Sequence, residues 1–378
     1  MTARQIPFID LMAQRRHLGQ KIDNAVISVI NSGKFVMGPE IESLERQLAD
    51  FCGVKHVVAC SSGTDALLLP LMAWGIGPGD AVLIPAFTFV ATAEVVALTG
   101  ATPIFCDVDA TSYNIDVSSV RQAIDKALGM GLKPKAIMPV DLFGLPADFD
   151  EIIGLANEKE LLVLDDACQG FGGVYKNKKI GSIGDAAATS FFPAKPLGCY
   201  GDGGAAFTND SELYEKMLSI RVHGQGQNKY HNVRLGLNAR MDTIQAAILI
   251  EKLTIFPDEL KAREQVARKY NEAFDGIAIT PLVHEDYVSC WAQYTLCVSA
   301  NERASIQKKL SDLNVPTAVY YPIPLNKQPG YIQYPSATDS LPVCEDLCER
   351  VFSLPMHPYL EDAEQQIIIN AVVSTLKS

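Results

Sequence analysis

The sequence contains no long uninterrupted apolar segment. No window reaches the roughly 18 apolar residues that a membrane-spanning helix needs, and the opening stretch MTARQIPFIDLMAQRR has neither the apolar region nor the cleavage site of a signal peptide. The nine cysteines are scattered and include no CxxC pair, which argues against a disulfide framework and a zinc site. We therefore expect a cytoplasmic protein with reduced thiols, no bound metal and no membrane partner.

Positive charge is also scarce. The chain has 32 Lys and Arg against 44 Asp and Glu, a formal net charge of −12, which disfavours nucleic acid as a partner. The P-loop pattern GxxxxGK[ST] is missing, and no GxGxxG follows a strand. The second absence argues against a nicotinamide-dependent oxidoreductase. An anionic small molecule is still compatible with the sequence, because backbone N–H groups and a few Arg residues can bind it locally.

From residue 54 onward, short apolar runs alternate with helical stretches. The runs cover residues 54–60, 81–87, 102–109, 135–144, 161–168, 186–192 and 203–210, and helical periodicity between them covers 91–98, 117–128 and 149–160. Strands that are apolar on both faces and alternate with helices predict an α/β protein with a mostly parallel sheet. Ligands of such sheets bind at the carboxyl ends of the strands.

The last third of the chain has a different pattern. Helical stretches at 242–253 and 257–274 lead into a smaller α/β unit, with strands predicted at 293–300 and near 316–322, a helix at 301–313 and two C-terminal helices. We predict a large domain over residues 1–255 and a smaller C-terminal α/β domain over residues 256–378.

Small polar residues follow the first apolar run, in the stretch SSGTDA at 61–66. Small residues at a helix start leave N–H groups free, and the helix dipole adds positive potential there. The stretch therefore predicts a phosphate site around Gly63 and Thr64. An ordinary helix N-cap is the alternative interpretation.

Two adjacent acids, Asp165 and Asp166, close the apolar run at 161–164. Buried acids are costly unless a cationic partner compensates them, and a pyridinium nitrogen would be such a partner. Surface loop acids are the alternative, which the adjacent apolar strand disfavours.

Lys195 lies between two prolines in SFFPAKPLGCYGDGG, directly after another apolar run. A lysine in a pocket at a strand end loses its proton more easily and can form a Schiff base, and the glycines that follow allow the backbone to approach a ligand closely. A solvated lysine is the alternative. Phe89 follows the run at 81–87 and could stack on a flat ring, although core packing explains it equally well. A phosphate site, an acid, a lysine and an aromatic ring together predict pyridoxal 5′-phosphate as the cofactor.

The chain resembles the DegT-type nucleotide-sugar aminotransferases over most of its length. GTDALLL, PAFTFVATAE, GATPIFCDVD, YNID, DDACQGFG, SFFPAKPLGCYGDGGA and GLNARMDTIQAAIL occur in the order seen in that family. The resemblance implies a fold-type I aminotransferase, L-glutamate as the amino donor, 2-oxoglutarate as its product and pyridoxamine 5′-phosphate as the intermediate form of the cofactor.

The resemblance also assigns roles to residues. It makes Lys195 the Schiff-base and proton-transfer lysine and Asp166 the acid paired with the pyridine nitrogen. The other cofactor contacts that it implies are Gly63, Thr64 and Ser190 at the phosphate, Phe89 on the ring face, Gln169 near the ring hydroxyl, and Asn238 from the neighbouring subunit. A homodimer with shared active sites follows from the last assignment.

For the substrate, YYPIPLNKQP and SLPMHPYL look most like family members that aminate C3 of UDP-2-acetamido-2-deoxy-3-keto-D-glucuronic acid, on the way to O-antigen. The expected sugar-nucleotide contacts are Arg240, Tyr320, Tyr321, Asn326 and Lys327. Tyr320 stands where those enzymes have His, and packing between domains is the alternative role for both tyrosines. Two other functions stay open: a C4 aminotransferase acting on a UDP- or dTDP-4-keto-6-deoxy sugar, and a non-catalytic regulator that binds pyridoxal phosphate.

Overall fold

The computed structural model describes residues 6–377. Twelve α-helices lie in this part of the chain. The helices are α1 Leu11–Leu18, α2 Gln20–Ser32, α3 Pro39–Cys52, α4 Gly63–Ala73, α5 Ala91–Leu98, α6 Val117–Gly129, α7 Phe149–Lys159, α8 Ser211–Arg221, α9 Thr243–Phe274, α10 Arg303–Asp312, α11 Pro342–Arg350 and α12 Asp362–Leu376.

The strands are short and mostly buried. They are β1 His56–Cys60, β2 Asp80–Pro85, β3 Thr102–Cys106, β4 Lys133–Ile137, β5 Leu162–Asp166, β6 Val174–Tyr175, β7 Lys178–Lys179, β8 Ala186–Ser190, β9 Gly204–Thr208, β10 Tyr287–Val288, β11 Tyr294–Cys297 and β12 Val351–Leu354.

The central sheet has seven strands in the order β1-β9-β8-β5-β4-β2-β3. Strands β8, β5, β4, β2 and β3 are parallel neighbours, and β9 runs antiparallel to both β1 and β8. Apolar side chains of both faces are buried, one under α4, α5 and α8 and the other under α3, α6, α7 and α9. The prediction of a mostly parallel α/β sheet is confirmed.

Helix α9 differs from the sequence pattern, which divides it near residue 255. It runs unbroken for 32 residues through Pro257. Proline removes one backbone bond, but burial of apolar side chains on both sides of it keeps the helix continuous: Phe256 packs in the core of the large sheet, and Tyr270 packs in the C-terminal core. The predicted domain boundary after residue 255 falls inside this helix, and the division itself stays a prediction.

The C-terminal unit is built on a two-stranded antiparallel sheet of β11 and β12, against which α10 and α12 pack. The strand predicted near residues 316–322 is wrong, because this segment forms only one isolated bridge, between Ala318 and Ser353. Prolines at 316, 322 and 324 lack the N–H that a paired strand needs. No helix within residues 6–377 is long and apolar enough to span a bilayer.

Candidate active site

A cavity of about 490 Å³ opens at the carboxyl ends of β1, β2, β5 and β8. This is the edge at which parallel strands deliver ligand-binding residues. Most of the predicted site residues line it: Gly63, Thr64, Phe89, Asp166, Gln169, Ser190, Lys195, Tyr320 and Tyr321. The sheet therefore collects at one place residues that lie more than a hundred positions apart in the chain.

The N-terminus of α4 forms one end of the cavity. The Ser62 hydroxyl caps the helix by accepting the Asp65 N–H at 3.0 Å, which leaves the first N–H groups, those of Gly63 and Thr64, without an intrahelical acceptor. A Cβ atom at Gly63 would lie 2.6 Å from the Cβ of Ser190, so only glycine permits this approach of helix and strand. The resulting concave backbone surface fits a phosphate.

Asp166 lines the same cavity as the N-terminus of α4 and is only 4% exposed. Its Oδ2 accepts a hydrogen bond from the Thr92 hydroxyl at 2.8 Å, and its Oδ1 accepts one from the Cys168 N–H at 3.2 Å. Thr92 in turn is bonded to Thr88 at 3.1 Å. These donors orient the carboxyl group but bring no positive charge to it, so a cation in the cavity would be a favourable partner for this buried acid. A protonated pyridine nitrogen fits this arrangement.

The neighbouring acid, Asp165, faces away from the cavity. It is completely buried together with Asp141. Burial and the charges of Asp141 and Asp166 raise the pKa of Asp165 well above its usual range, and burial raises the pKa of Asp141 to about 8. The Asp141–Asp165 pair therefore holds a proton at neutral pH. Two acids adjacent in sequence thus have different roles, because successive strand residues face opposite sides of the sheet.

Gln169 and the aromatic residues form the side walls. The Gln169 Oε1 accepts the Phe143 N–H at 2.9 Å, and its amide nitrogen donates to the Tyr321 hydroxyl at 3.1 Å. Burial raises the pKa of Tyr321, so this hydroxyl stays neutral. Phe89 is 55% exposed on the cavity wall, which favours ring stacking over core packing, whereas Phe87 is fully buried.

Lys195 lies in the loop between β8 and β9. Its own N–H donates to the Phe192 carbonyl at 2.9 Å, and the side chain is half-buried in the cavity wall. Of the described residues that line the cavity, Lys195 is the only one with a cationic side chain. A single amine facing a buried acid and an aromatic wall suits covalent capture of an aldehyde.

Four predicted residues lie outside the lining. Asn238 is exposed, and its Oδ1 accepts a hydrogen bond from Arg240 Nε at 2.9 Å. The amide nitrogen of Asn326 donates to Ser336 at 3.2 Å, and Lys327 Nζ pairs with Glu345 at 2.7 Å. The roles of all four toward the ligands stay predictions.

Sequence reasoning missed several cavity residues, among them Thr92, Phe8 and Ile9. Thr92 had a weak signal, since it lies one turn after Thr88 at the start of a helix that follows a strand. Phe8 and Ile9 had no such signal, because they lie near the N-terminus, far in sequence from the other residues of the cavity wall. Phe8 packs against Tyr320 with 6.5 Å between ring centroids.

Known proteins resemble the chain along nearly its full length. A model of the DegT/DnrJ/EryC1/StrS aminotransferase family matches residues 16–373. The UDP-2-acetamido-2-deoxy-3-oxo-D-glucuronate aminotransferase of Pseudomonas aeruginosa is 46% identical over 370 residues, covering 98% of this chain and 100% of that protein.

Two solved structures extend the similarity to the fold. A DegT DnrJ EryC1 StrS aminotransferase from Brucella abortus is 48% identical and has a TM-score of 0.96, covering 98% of this chain and 99% of that one. NtdA from Bacillus subtilis, solved with the bound cofactor PMP, is 31% identical with a TM-score of 0.90, covering 100% of this chain and 86% of that chain.

These similarities confirm the fold-type I aminotransferase fold, the sugar aminotransferase activity and pyridoxal phosphate as the cofactor. The protein is therefore an enzyme. The chain belongs to the DegT/DnrJ/EryC1/StrS aminotransferase family.

Proposed function

We propose that this enzyme aminates C3 of UDP-2-acetamido-2-deoxy-3-keto-D-glucuronic acid, using L-glutamate and releasing 2-oxoglutarate. The observation that carries the chemistry is the single cavity that combines Lys195, Asp166 and the N-terminus of α4. The P. aeruginosa relative, at 46% identity, supports this substrate. The 3-amino uronic acid product would serve lipopolysaccharide biosynthesis, as a precursor of O-antigen.

Each cavity residue has a distinct task in this proposal. Bound pyridoxal phosphate supplies an electron sink and carries the amino group between donor and acceptor. Gly63, Thr64 and Ser190 would hold its phosphate, Asp166 would keep its ring nitrogen protonated, and Phe89 would cover its ring. The Lys195 amine takes the α-proton of the donor and later returns a proton to the sugar carbon.

The proposed substrate carries a diphosphate and a carboxylate, and its charge exceeds what the cavity lining can balance. Lys195 is the only cation among the described lining residues, and amino transfer already requires it. Further cations must come from outside the lining, and Arg240 is our candidate. Tyr320, Tyr321, Asn326 and Lys327 stay proposed contacts of the sugar.

We propose that Asn238 and Arg240 act in the cavity of a second copy. They belong to a loop whose Leu235 is 86% exposed, beside an open groove of about 710 Å³ that Leu68, Met72 and Leu237 help to line. A second copy packed on this apolar surface would cover it and bring the loop to the other active site. Light scattering of the holoenzyme should give twice 41.1 kDa, whereas a monomer would remove the basis for shared sites.

The substrate assignment is tested by running the reaction backward. The cofactor-loaded enzyme is mixed with UDP-2-acetamido-3-amino-2,3-dideoxy-D-glucuronic acid while its visible absorption band is followed. We expect the band to disappear and 2-oxoglutarate to restore it. A band that persists here but collapses with a UDP- or dTDP-4-amino-6-deoxy sugar would replace our substrate with the C4 alternative.

A further inference from the structure

A buried lysine lies beneath the loop that carries Lys195. Lys252 of α9 is 0% exposed, and its Nζ donates a hydrogen bond to the Gly198 carbonyl at 2.5 Å. The ammonium also lies 4.2 Å from the centroid of the Tyr200 ring. Within residues 6–377 no carboxylate oxygen lies at ion-pair distance from it. A backbone carbonyl and an aromatic face are its direct contacts, and the charge of Glu259 favours the ammonium from farther away.

The turn at Gly198 is packed directly against the backbone just before Lys195. A Cβ atom at Gly198 would lie 2.6 Å from the carbonyl oxygens of both Phe192 and Pro193. The Phe192 carbonyl is also the acceptor for the Lys195 N–H, at 2.9 Å. A displacement of Gly198 would therefore change the backbone that orients Lys195.

Helix α9 contacts the same loop at a second point. The Gln245 Oε1 accepts the Tyr200 N–H at 2.9 Å. Gln245 and Lys252 are seven residues apart, which is about two helical turns, so both side chains leave α9 on one face. Helix α9 thus holds the loop at two points. The Lys252 ammonium donates to the Gly198 carbonyl, and the Gln245 amide oxygen accepts the Tyr200 N–H.

Burial is energetically unfavourable for the Lys252 ammonium. Packing alone therefore does not explain why a lysine occupies this position. Burial lowers the pKa of Lys252 to about 8. A methionine or leucine would fill the same volume without that penalty. The lysine gives what these residues lack, a donor directed at one carbonyl of the loop.

We propose that Lys252 is a positioning residue for Lys195, acting through the Gly198 carbonyl to fix the loop from which the amine reaches the substrate. The inference rests on the proton-transfer role of Lys195 in the proposed function. Lys252 itself does not line the cavity and takes no part in proton transfer.

The test compares Lys252→Met with Lys261→Met, which removes an exposed lysine from the same helix, where it pairs with Asp258 at 2.9 Å. Amide hydrogen exchange of the holoenzyme is measured for the peptide covering residues 191–203. We expect Lys252→Met to accelerate exchange in that peptide by at least about tenfold, with other regions unchanged, and Lys261→Met to match the wild type.

The kinetic readout is the first half-reaction, in which L-glutamate alone bleaches the visible band. Misplacement of Lys195 should lower its maximal rate about 10- to 100-fold, with little change in the glutamate concentration at half-saturation. Should Lys252→Met fail to fold, Lys252→Gln and Gln245→Ala each weaken one of the two contacts and should give smaller changes of the same kind.

Wild-type exchange and a wild-type rate in the variants would overturn the proposal. General acceleration of exchange across the protein would also overturn it, because it would show a role in stability alone. Failure of the proposed function is distinguishable: the wild-type enzyme would then keep its visible band with the 3-amino uronic acid nucleotide, whereas the exchange of residues 191–203 does not depend on any substrate.

Discussion

The residues that we assign to the cofactor, which form the cofactor end, and those that we assign to the substrate, which form the sugar end, are positioned differently. At the cofactor end, Asp166, Gln169 and Lys195 come from strand ends of one sheet and are fixed by hydrogen bonds of the same chain. At the sugar end, Tyr320 comes from an irregular segment, and Arg240 from an exposed loop outside the lining. A rigid cofactor site combined with a loop-built substrate site allows one chemistry to serve different sugars.

The first prediction concerns the cofactor end. Lys195→Ala should lower transamination by at least about 10³-fold, because it removes both the covalent anchor and the proton carrier. The measurement is the steady-state rate with L-glutamate and the keto sugar. Lys178→Ala, which changes an exposed lysine of β7, is the control and should keep full activity. Comparable rates for the two variants would mean that another group moves the proton.

The second prediction separates two adjacent acids. Asp166→Asn should reduce the rate about 10²- to 10³-fold, because a preorganised charge in the site is lost. Asp165→Asn changes the same chemistry on the opposite face of β5 and should alter the rate by less than about threefold. Equal losses in both variants would show that the cavity does not distinguish these carboxylates.

The third prediction concerns the phosphate site. Gly63→Ala places a methyl group 2.6 Å from the Ser190 Cβ, which must push α4 away from β8. Pyridoxal phosphate should dissociate at least about tenfold more readily, and stability should fall by about 1–3 kcal/mol. Gly154→Ala, at a helical glycine with open space, is the control for stability. Unchanged cofactor affinity would exclude this helix end as the phosphate site.

The fourth prediction tests the sugar end. Arg240→Met should raise the KM for the nucleotide sugar about tenfold, as expected for one lost charged hydrogen bond, and should leave the bleaching by L-glutamate unchanged. Arg268→Met, on an exposed stretch of α9, should change neither quantity. An effect of Arg240→Met on the glutamate reaction alone would assign this arginine to the cofactor end.

The last prediction concerns the pH dependence of stability. The pKa values of Asp141 and Asp165 are raised in the folded protein, so the folded pair binds a proton that the unfolded chain releases above pH 4. The free energy of unfolding should therefore decrease as the pH rises from about 4 to 8, and Asp165→Asn should reduce that decrease by about 1–3 kcal/mol. Denaturant titrations at pH 5 and pH 8 measure the difference. A steeper decrease in the variant would contradict the shared proton.

The sequence predicts that the residues assigned to the cofactor lie close together, and they line one cavity, because local patterns determine their placement. Alternating apolar runs and helices specify parallel strands, and polar residues directly after Leu164 or Thr189 must therefore meet at one edge of the sheet. Contacts that depend on distant segments carry no such pattern: Phe8 reaches Tyr320 only because the chain folds back, and burial on both sides of Pro257 overrides its helix-breaking tendency. The strand predicted at 316–322 was wrong for a related reason. Its apolar pattern does not show that the prolines of this segment limit its pairing with β12 to one bridge.

The central claim is that one subunit supplies Lys195, Asp166 and the N-terminus of α4 to each active site and that its partner supplies Asn238 and Arg240. It is tested most directly by co-expressing Lys195→Ala subunits with subunits carrying both Asn238→Ala and Arg240→Met, on different affinity tags. The mixed dimer contains one site with all three native residues if the sites are shared. At sugar concentrations well below KM it should show about half the wild-type activity, whereas each parent dimer should show about a tenth or less. A mixed dimer as inactive as its parents would place Asn238 and Arg240 in the site of their own subunit and contradict the account.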